Sequence, residues 1–300
     1  RINLFFKIEY KSDGMRKNFL TFGSPLINNE EIDEVVSTLK SGWLGTGPKT
    51  HQFEQDFANY VGSEYAIALN SCTAGLHLSL DILKIGNGDE VITTPITFPA
   101  TINTIEHVKA KPVFVDINRK TYNLDEDKIE SAITSKTKAI IPVHLAGRPC
   151  NMDKIDELGK KYNLKVIEDA AHAIESKFGE YKIGNISELT CFSFYVTKNI
   201  VTGEGGMVTT NDSKLAKELR IRSLHGISKD AWERFSESGY SHYETIYPGY
   251  KYNMMDLQAS IGIHQLKKVG VFHNKREKFW KIYNDAFKSY DELIIPQEQN

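Results

Sequence analysis

Cysteine is scarce in this chain. The 300 residues contain three (Cys72, Cys150 and Cys191), an odd number with no CxxC pair. That excludes a disulfide framework and a cysteine-based zinc site, and it points to a reducing compartment. Net charge is also small, −2 with histidines neutral. The chain therefore has no general attraction for nucleic acid or an anionic membrane, and any phosphate must be held by local groups. Long apolar runs are missing too. No stretch approaches the length of a membrane span, and the first apolar run, residues 2–6 interrupted by Asn3, is too short for a signal peptide. The expected location is cytoplasmic, with no nucleic acid and no membrane as partner. No GxxxxGK[ST] occurs and no GxGxxG follows an apolar run, which removes the commonest nucleotide-binding readings. No His/Cys/Asp set has ligand spacing, so no metal is expected.

What is present suffices for a large core. Hydrophobic residues make up 40% and charged residues 25%, a composition that fits one big domain or a large and a small one. Residues 1–14 differ in character from the rest of the chain, and Met15 opens MRKNFL. They are set aside as an upstream-derived, vector-derived or disordered leader. A first helix is expected over 29–40, with Asn28 as cap, Glu31 three residues on, and Ile32, Val35, Val36 and Leu39 as its apolar face. The loop SGWLGTGPKT comes after it, three glycines and a proline around Trp43. It is either a plain connection or a contact for a phosphorylated, ring-bearing ligand. A helix through Phe53, Phe57, Tyr60 and Val61 comes next.

From Tyr65 the pattern becomes regular. Strands are expected at 65–69, 90–94, 112–117, 139–145, 165–168 and 190–195, and helices at 73–83, 99–107, 125–133 and 152–162. Strands separated by helices indicate βαβ units and a mostly parallel sheet, so the fold class is α/β. Ligands in such sheets bind beyond the carboxyl ends of the strands.

The polar residues gather at those ends. The small-residue turn 70–75 feeds a helix N-terminus with Thr73 and Ala74; it suits an anion, or is only an N-cap. Phe98 comes after the strand EVITT and is either core or a flat face for a ring. His144 ends an apolar strand and reads best as a satisfied structural histidine. Asp169 comes after Val166 and Ile167, and an aspartate at a buried strand tip is costly without a cationic partner. Lys198, about thirty residues later, interrupts another apolar strand before a glycine-rich turn (Gly203, Gly205, Gly206). A lysine held there is partly desolvated, which disfavours its ammonium and makes the amine a nucleophile. One cofactor needs this whole set. Pyridoxal phosphate calls for a Schiff-base lysine (Lys198), an acid on the pyridine nitrogen (Asp169), an aromatic over the ring (Phe98), and hydroxyls and amides for the phosphate (Thr73, Ala74, Ser193).

The motifs SGWLGTGPKTHQFE, NSCTAGLHLSL, TPITFPATINTI, IPVHLAGRPCNMDKI, VIEDAAHAIES, FSFYVTKNIVTGEGGMV and YKYNMMDLQASIG resemble, in order, the DegT/DnrJ-type nucleotide-sugar aminotransferases. The resemblance runs from about Phe19 to at least Leu266. It implies the aspartate aminotransferase-like fold (pyridoxal phosphate fold type I): a large domain with a mostly parallel seven-stranded sheet and a small C-terminal α+β domain. Residues 15–250 would be the large cofactor-binding domain and 251–300 the start of a small domain that is truncated. Lys198 would be Schiff-base lysine and proton shuttle, Asp169 the pyridine-nitrogen partner and Phe98 the stacking ring. His172 would lie near the cofactor, and Thr73, Ala74 and Ser193 would hold the phosphate.

Departures from the family pattern are Val196 where proline is frequent, Lys251 where an asparagine often reaches the neighbouring subunit's phosphate, and Asn253 in place of an arginine. Lys251 can serve an anion, with different hydrogen-bond geometry. The implied reaction is a two-half transamination. L-glutamate is the amino donor, and a nucleotide-linked ketosugar, best matched by a UDP-4-keto-6-deoxyhexose, is the acceptor. The product is an amino sugar for surface glycans or related glycoconjugates, and a homodimer shares the active site. Alternatives are a 3-keto nucleotide-sugar aminotransferase, a family dehydratase (against which Lys198 argues), and an inactive or regulatory member.

Overall fold

The computed structural model describes residues 19, 21–228 and 244–296, with backbone alone at 235–236 and 239–240. The leader set aside as residues 1–14, and Met15 with it, lie outside the described residues.

Two helices open the described chain, α1 (Asn29–Ser41) and α2 (Pro48–Val61). The alternating part comes next: β1 (Tyr65–Leu69), α3 (Cys72–Ile82), β2 (Glu90–Thr93), α4 (Pro99–His107), β3 (Lys111–Phe114), α5 (Glu126–Ala132), β4 (Thr137–Ile140), α6 (Met152–Tyr162) and β5 (Lys165–Asp169). After a small hairpin of β6 (Lys177–Phe178) and β7 (Tyr181–Lys182) come β8 (Leu189–Ser193), β9 (Gly206–Thr210) and α7 (Ser213–Ser223). Helices α8 (Asp256–Lys267) and α9 (Val269–Phe287) are the last among the described residues.

Seven strands form one sheet in the order β3-β2-β4-β5-β8-β9-β1. Pairing is parallel from β3 to β8, while β9 runs antiparallel to both of its neighbours. Side chains alternate across the sheet. Ile67, Leu69, Ile167, Cys191 and Val208 face a core shared with α3 and α7, and Ala66, Ala68, Phe192 and Met207 face α2 and α8. Farther along that second face, Ile92, Ile140 and Val166 pack on α5 and α6. Both faces are covered, as the near-continuous apolar strands require. The expected α/β class and seven-stranded, mostly parallel sheet are what the structure has.

Several expectations need correction. The strand expected over 139–145 ends at Ile140, beyond which only an isolated bridge joins Val143 to Asp169. The apolar face assigned to α1 points outward: Ile32 and Leu39 are about half exposed, while Glu31 and Thr38 are buried. Buried polar groups there are satisfied by α8 and the residue directly after it. Glu31 meets Lys268 at 2.7 Å and Gln265 at 2.8 Å, and Thr38 meets Ser260 at 2.7 Å. Past the boundary expected at 250 the packing of the large domain continues. Met254, Ala259, Ile263, Leu266 and Val269 belong to the same core as Phe53 and Phe57, and Phe272 packs against it.

One carboxylate ties α8 to α2. Asp256, 1% exposed, accepts from the Gly47 and Thr50 amides (2.8 and 2.9 Å), the Thr50 hydroxyl (2.7 Å) and the Lys49 amide (3.0 Å). It thereby satisfies the open amides at the start of α2 from another helix. Replacing Asp256 by alanine orphans buried amides, and the expected loss of stability is about 3 kcal/mol. Urea unfolding checks this; a change below about 1 kcal/mol would show that water satisfies those amides instead.

Candidate active site

Because β1, β2, β5 and β8 run the same way, their carboxyl ends share one edge of the sheet. The residues singled out from sequence sit there. Asp169 is the last residue of β5, Ser193 the last of β8, Thr73 and Ala74 lie in the first turn of α3 after β1, and Phe98 caps α4 after β2.

Lys198 lies in the connection between β8 and antiparallel β9. The connection is closed by Phe194 N–H to Gly205 O (2.9 Å) and Thr202 N–H to Phe194 O (2.9 Å). Gly203, at φ +84°, turns the chain where L side chains are strained. Lys198 N–H caps a turn on Tyr195 O at 2.8 Å. Its Nζ is 2.7 Å from His172 Nε2. Burial pushes the Lys198 ammonium below its ordinary range, against the pull of Cys72 and Asp169. Burial and then the Lys198 charge likewise hold His172 below its ordinary range. While Lys198 is an ammonium it has only donors, and Nε2 is then the acceptor.

Asp169 is clamped by backbone and side chain. Its N–H donates to Pro142 O (2.9 Å) and its C=O accepts from His144 N–H (3.0 Å). The carboxylate, 5% exposed, receives the Thr101 hydroxyl at 2.7 Å and the Ala171 amide at 3.2 Å. Among the described residues no cation lies within ion-pair distance of it. Two donors on a buried carboxylate leave acceptor capacity and charge uncompensated. A protonated ring nitrogen is the kind of group that completes such a site.

The anion turn is tightly built. Ser71 Oγ accepts the Ala74 amide at 3.0 Å, so an anion seated there has to take over that donor or use the exposed Thr73 hydroxyl. A Cβ on Gly206 would come within 2.3–2.5 Å of the Ser71–Cys72 backbone. Only glycine lets β9 pass so close beneath the turn, which explains the second glycine of the GG pair. Phe98 is 75% exposed, a ring face open at the edge of the sheet.

Lys251 belongs to another group. Its Nζ donates to Asn253 Oδ1 at 2.7 Å, and it lines a cavity of about 640 Å³ with Trp43, Thr46, Asn70 and Gln258. The Trp43 loop is stitched in place. Trp43 Nε1–H donates to Thr46 O (3.0 Å), Asn253 Nδ2 donates to the Thr46 hydroxyl (2.6 Å), and the Asp256 amide donates to Gly45 O (2.9 Å). His144 is structural. It is fully buried, Nδ1 accepts the Cys150 amide at 3.1 Å, and Nε2–H donates to Glu168 at 2.7 Å. Sequence reasoning passed over Ser71, Thr101, and the Glu175 carboxylate that joins Asn199 to Arg276.

The profile of the DegT/DnrJ/EryC1/StrS aminotransferase family matches residues 25–300. The chain belongs to this family. It is 51% identical over 281 residues to the spore coat polysaccharide biosynthesis protein SpsC of Bacillus subtilis, covering 94% of this chain and 72% of that one. Spr1654 of Streptococcus pneumoniae, solved in its PMP-form, superposes with a TM-score of 0.83 at 38% identity, covering 90% of this chain and 72% of that one; a PLP-form of it is also known. Helicobacter pylori PseC, an aminotransferase involved in the biosynthesis of pseudoaminic acid, gives a TM-score of 0.83 at 30% identity, covering 90% of this chain and 71% of that one. The protein is therefore a sugar aminotransferase that works with pyridoxal phosphate, and its fold is that of these enzymes. No helix among the described residues is long and apolar enough to cross a membrane.

The Lys198 environment makes a measurable claim. In the cofactor-free protein, the pH midpoint for acetylation of Lys198, read by competitive labelling and mass spectrometry, is expected to lie below that of a lysine in a short unfolded peptide labelled alongside. Coincident profiles would show that burial does not depress the amine.

Proposed function

We propose that this enzyme transfers the amino group of L-glutamate to the carbonyl of a nucleotide-linked keto-deoxysugar, best a UDP-4-keto-6-deoxyhexose, in making an amino sugar for surface glycans. The observation that carries the cofactor arrangement is the buried Asp169 carboxylate, short of a cation, on the same sheet edge as a desolvated Lys198. The amino-sugar reading draws on SpsC, named for spore coat polysaccharide biosynthesis, and on PseC.

Bound at this edge, pyridoxal phosphate supplies an electron sink for the carbanion and a carrier for the amino group. Asp169 would hold the ring nitrogen protonated, and Phe98 would cover one ring face. The Thr73 hydroxyl, the Ala74 amide and the Ser193 hydroxyl would receive the phosphate, with the positive end of the α3 dipole behind them. Lys198 Nζ would hold the cofactor and, as a free neutral amine, would take the proton from the donor's α-carbon. His172 Nε2 faces that nitrogen at 2.7 Å and orients its hydrogens. In the second half Lys198 returns a proton to the sugar carbon that receives nitrogen.

A homodimer with a shared site is part of this reading. The outward apolar face of α1 (Ile32, Val36, Leu39) suits a second copy, and Lys251 is the side chain assigned to reach a partner's phosphate. We place the enzyme in the cytoplasm, in keeping with three buried free thiols.

An absorbance series tests the reading. Added pyridoxal phosphate is expected to give a visible band that vanishes with L-glutamate and never forms in Lys198→Ala. A band unaffected by L-glutamate would rule out that donor, and no band would remove the catalytic assignment. Ketosugar profiling then separates 4-keto from 3-keto acceptors, which demand the same cofactor residues.

A further inference from the structure

Thr101 is completely buried in the first turn of α4. Its Oγ1 lies 2.7 Å from Asp169 Oδ2 and 2.8 Å from Thr97 Oγ1. The protons settle the direction of both bonds. A hydroxyl has one hydrogen and an ionised carboxylate only accepts, so Thr101 donates to Asp169, and the remaining contact is Thr97 donating to Thr101. The result is a one-way chain, Thr97 to Thr101 to Asp169, ending on the carboxylate assigned to the cofactor's ring nitrogen.

The two ends of the chain are informative. Thr97 precedes Phe98 in the turn between β2 and α4, and the Phe98 carbonyl accepts the Thr101 amide at 3.2 Å. The same hydroxyl pair that braces Asp169 also pins the turn that carries the exposed ring. At the carboxylate, Thr101 holds Oδ2 while the Ala171 amide holds Oδ1. One anchor on each oxygen fixes the plane of the group, and the remaining lone pairs keep one direction.

We infer that Thr101 is a positioning residue for Asp169 and that Thr97, acting through it, locks the ring-stacking and ring-nitrogen contacts into one unit. This rests on the assignment of Asp169 to the ring nitrogen. Without Thr101 the carboxylate can rotate about its remaining anchor, and its alignment with a ring N–H is lost. Outer partners of a ligand-holding side chain contribute about 10–100-fold in affinity where this has been measured at metal sites; about tenfold is expected here.

The test compares the affinities of pyridoxal phosphate and of its 1-deaza analogue, which has carbon in place of the ring nitrogen, for the full chain. Wild type is expected to prefer pyridoxal phosphate. Thr101→Val should weaken that cofactor by about tenfold while leaving the analogue nearly unchanged, so the preference shrinks. Thr101→Ser should restore it. Thr97→Val should show a smaller loss of the same kind and add nothing in the Thr101→Val background. Equal weakening of both compounds, or of neither, overturns the inference, because a merely structural hydroxyl has no means of sensing the ring nitrogen. A wild-type protein indifferent to the ring nitrogen overturns the Asp169 assignment and the inference with it, and the two failures are told apart by that wild-type measurement.

Discussion

A carboxylate is buried at the tip of a central strand with hydrogen-bond donors but, among the described residues, no cation within ion-pair distance, and the rest of the site is arranged around that fact. Taking a charged group out of water costs several kcal/mol unless a counter-charge or enough donors replace the solvent. At Asp169 the replacement is partial: one hydroxyl, one amide, and a backbone fixed between Pro142 and His144. The nearby amine is no substitute, because Lys198 is itself desolvated and faces His172. Under the proposed assignment a protonated ring would complete that deficit, and the cofactor would then belong to the physics of the site as much as to its chemistry.

The antiparallel β9 serves the same edge. Had β8 been succeeded by another crossover helix, the next residues would have left for the far side of the sheet. Instead the chain turns back through Gly203, and the loop so formed holds Lys198 beside Asp169 and His172. The return strand then has to run beneath the Ser71–Cys72 turn, and the space exists only because residue 206 has no side chain. Gly75 makes the matching concession from α3, where a Cβ would stand 2.8 Å from Val208. Lysine loop and anion turn are in register because two glycines let a helix and a strand approach closely.

Much of this was legible in the residues. Strand and helix alternation from Tyr65 on gave the layer order, and the polar positions after each apolar run were the ones brought to one edge. Asp169 and Lys198 stood out together: each alone has a bland explanation, but two charged residues at strand ends some thirty positions apart match the needs of one cofactor. Thr101 did not, since a threonine in the first turn of a helix is ordinary and its partner is 68 positions away. The direction of β9 was equally silent, being set by contacts with β1 that no local pattern encodes. On α1 the amphipathic stripe misled. Periodicity locates an apolar face but not what covers it, and here Glu31 and Thr38 are drawn inward by Lys268, Gln265 and Ser260.

The lysine loop is also held from a direction that the sheet does not explain. The Asn199 side chain donates to His172 O at 3.4 Å and to Glu175, whose other oxygen receives Arg276 of α9. His172 contacts the Lys198 amine, Asn199 is its chain neighbour, and Arg276 lies on α9 beyond the part of that helix that packs on the core. A single carboxylate therefore bridges the reactive loop and the C-terminal helix. With one oxygen committed to each side, Glu175 cannot follow a shift of α9 without releasing Asn199 or dragging it. α9 and the Lys198 loop are thus joined through a residue that touches neither the amine nor the carboxylate assigned to the cofactor.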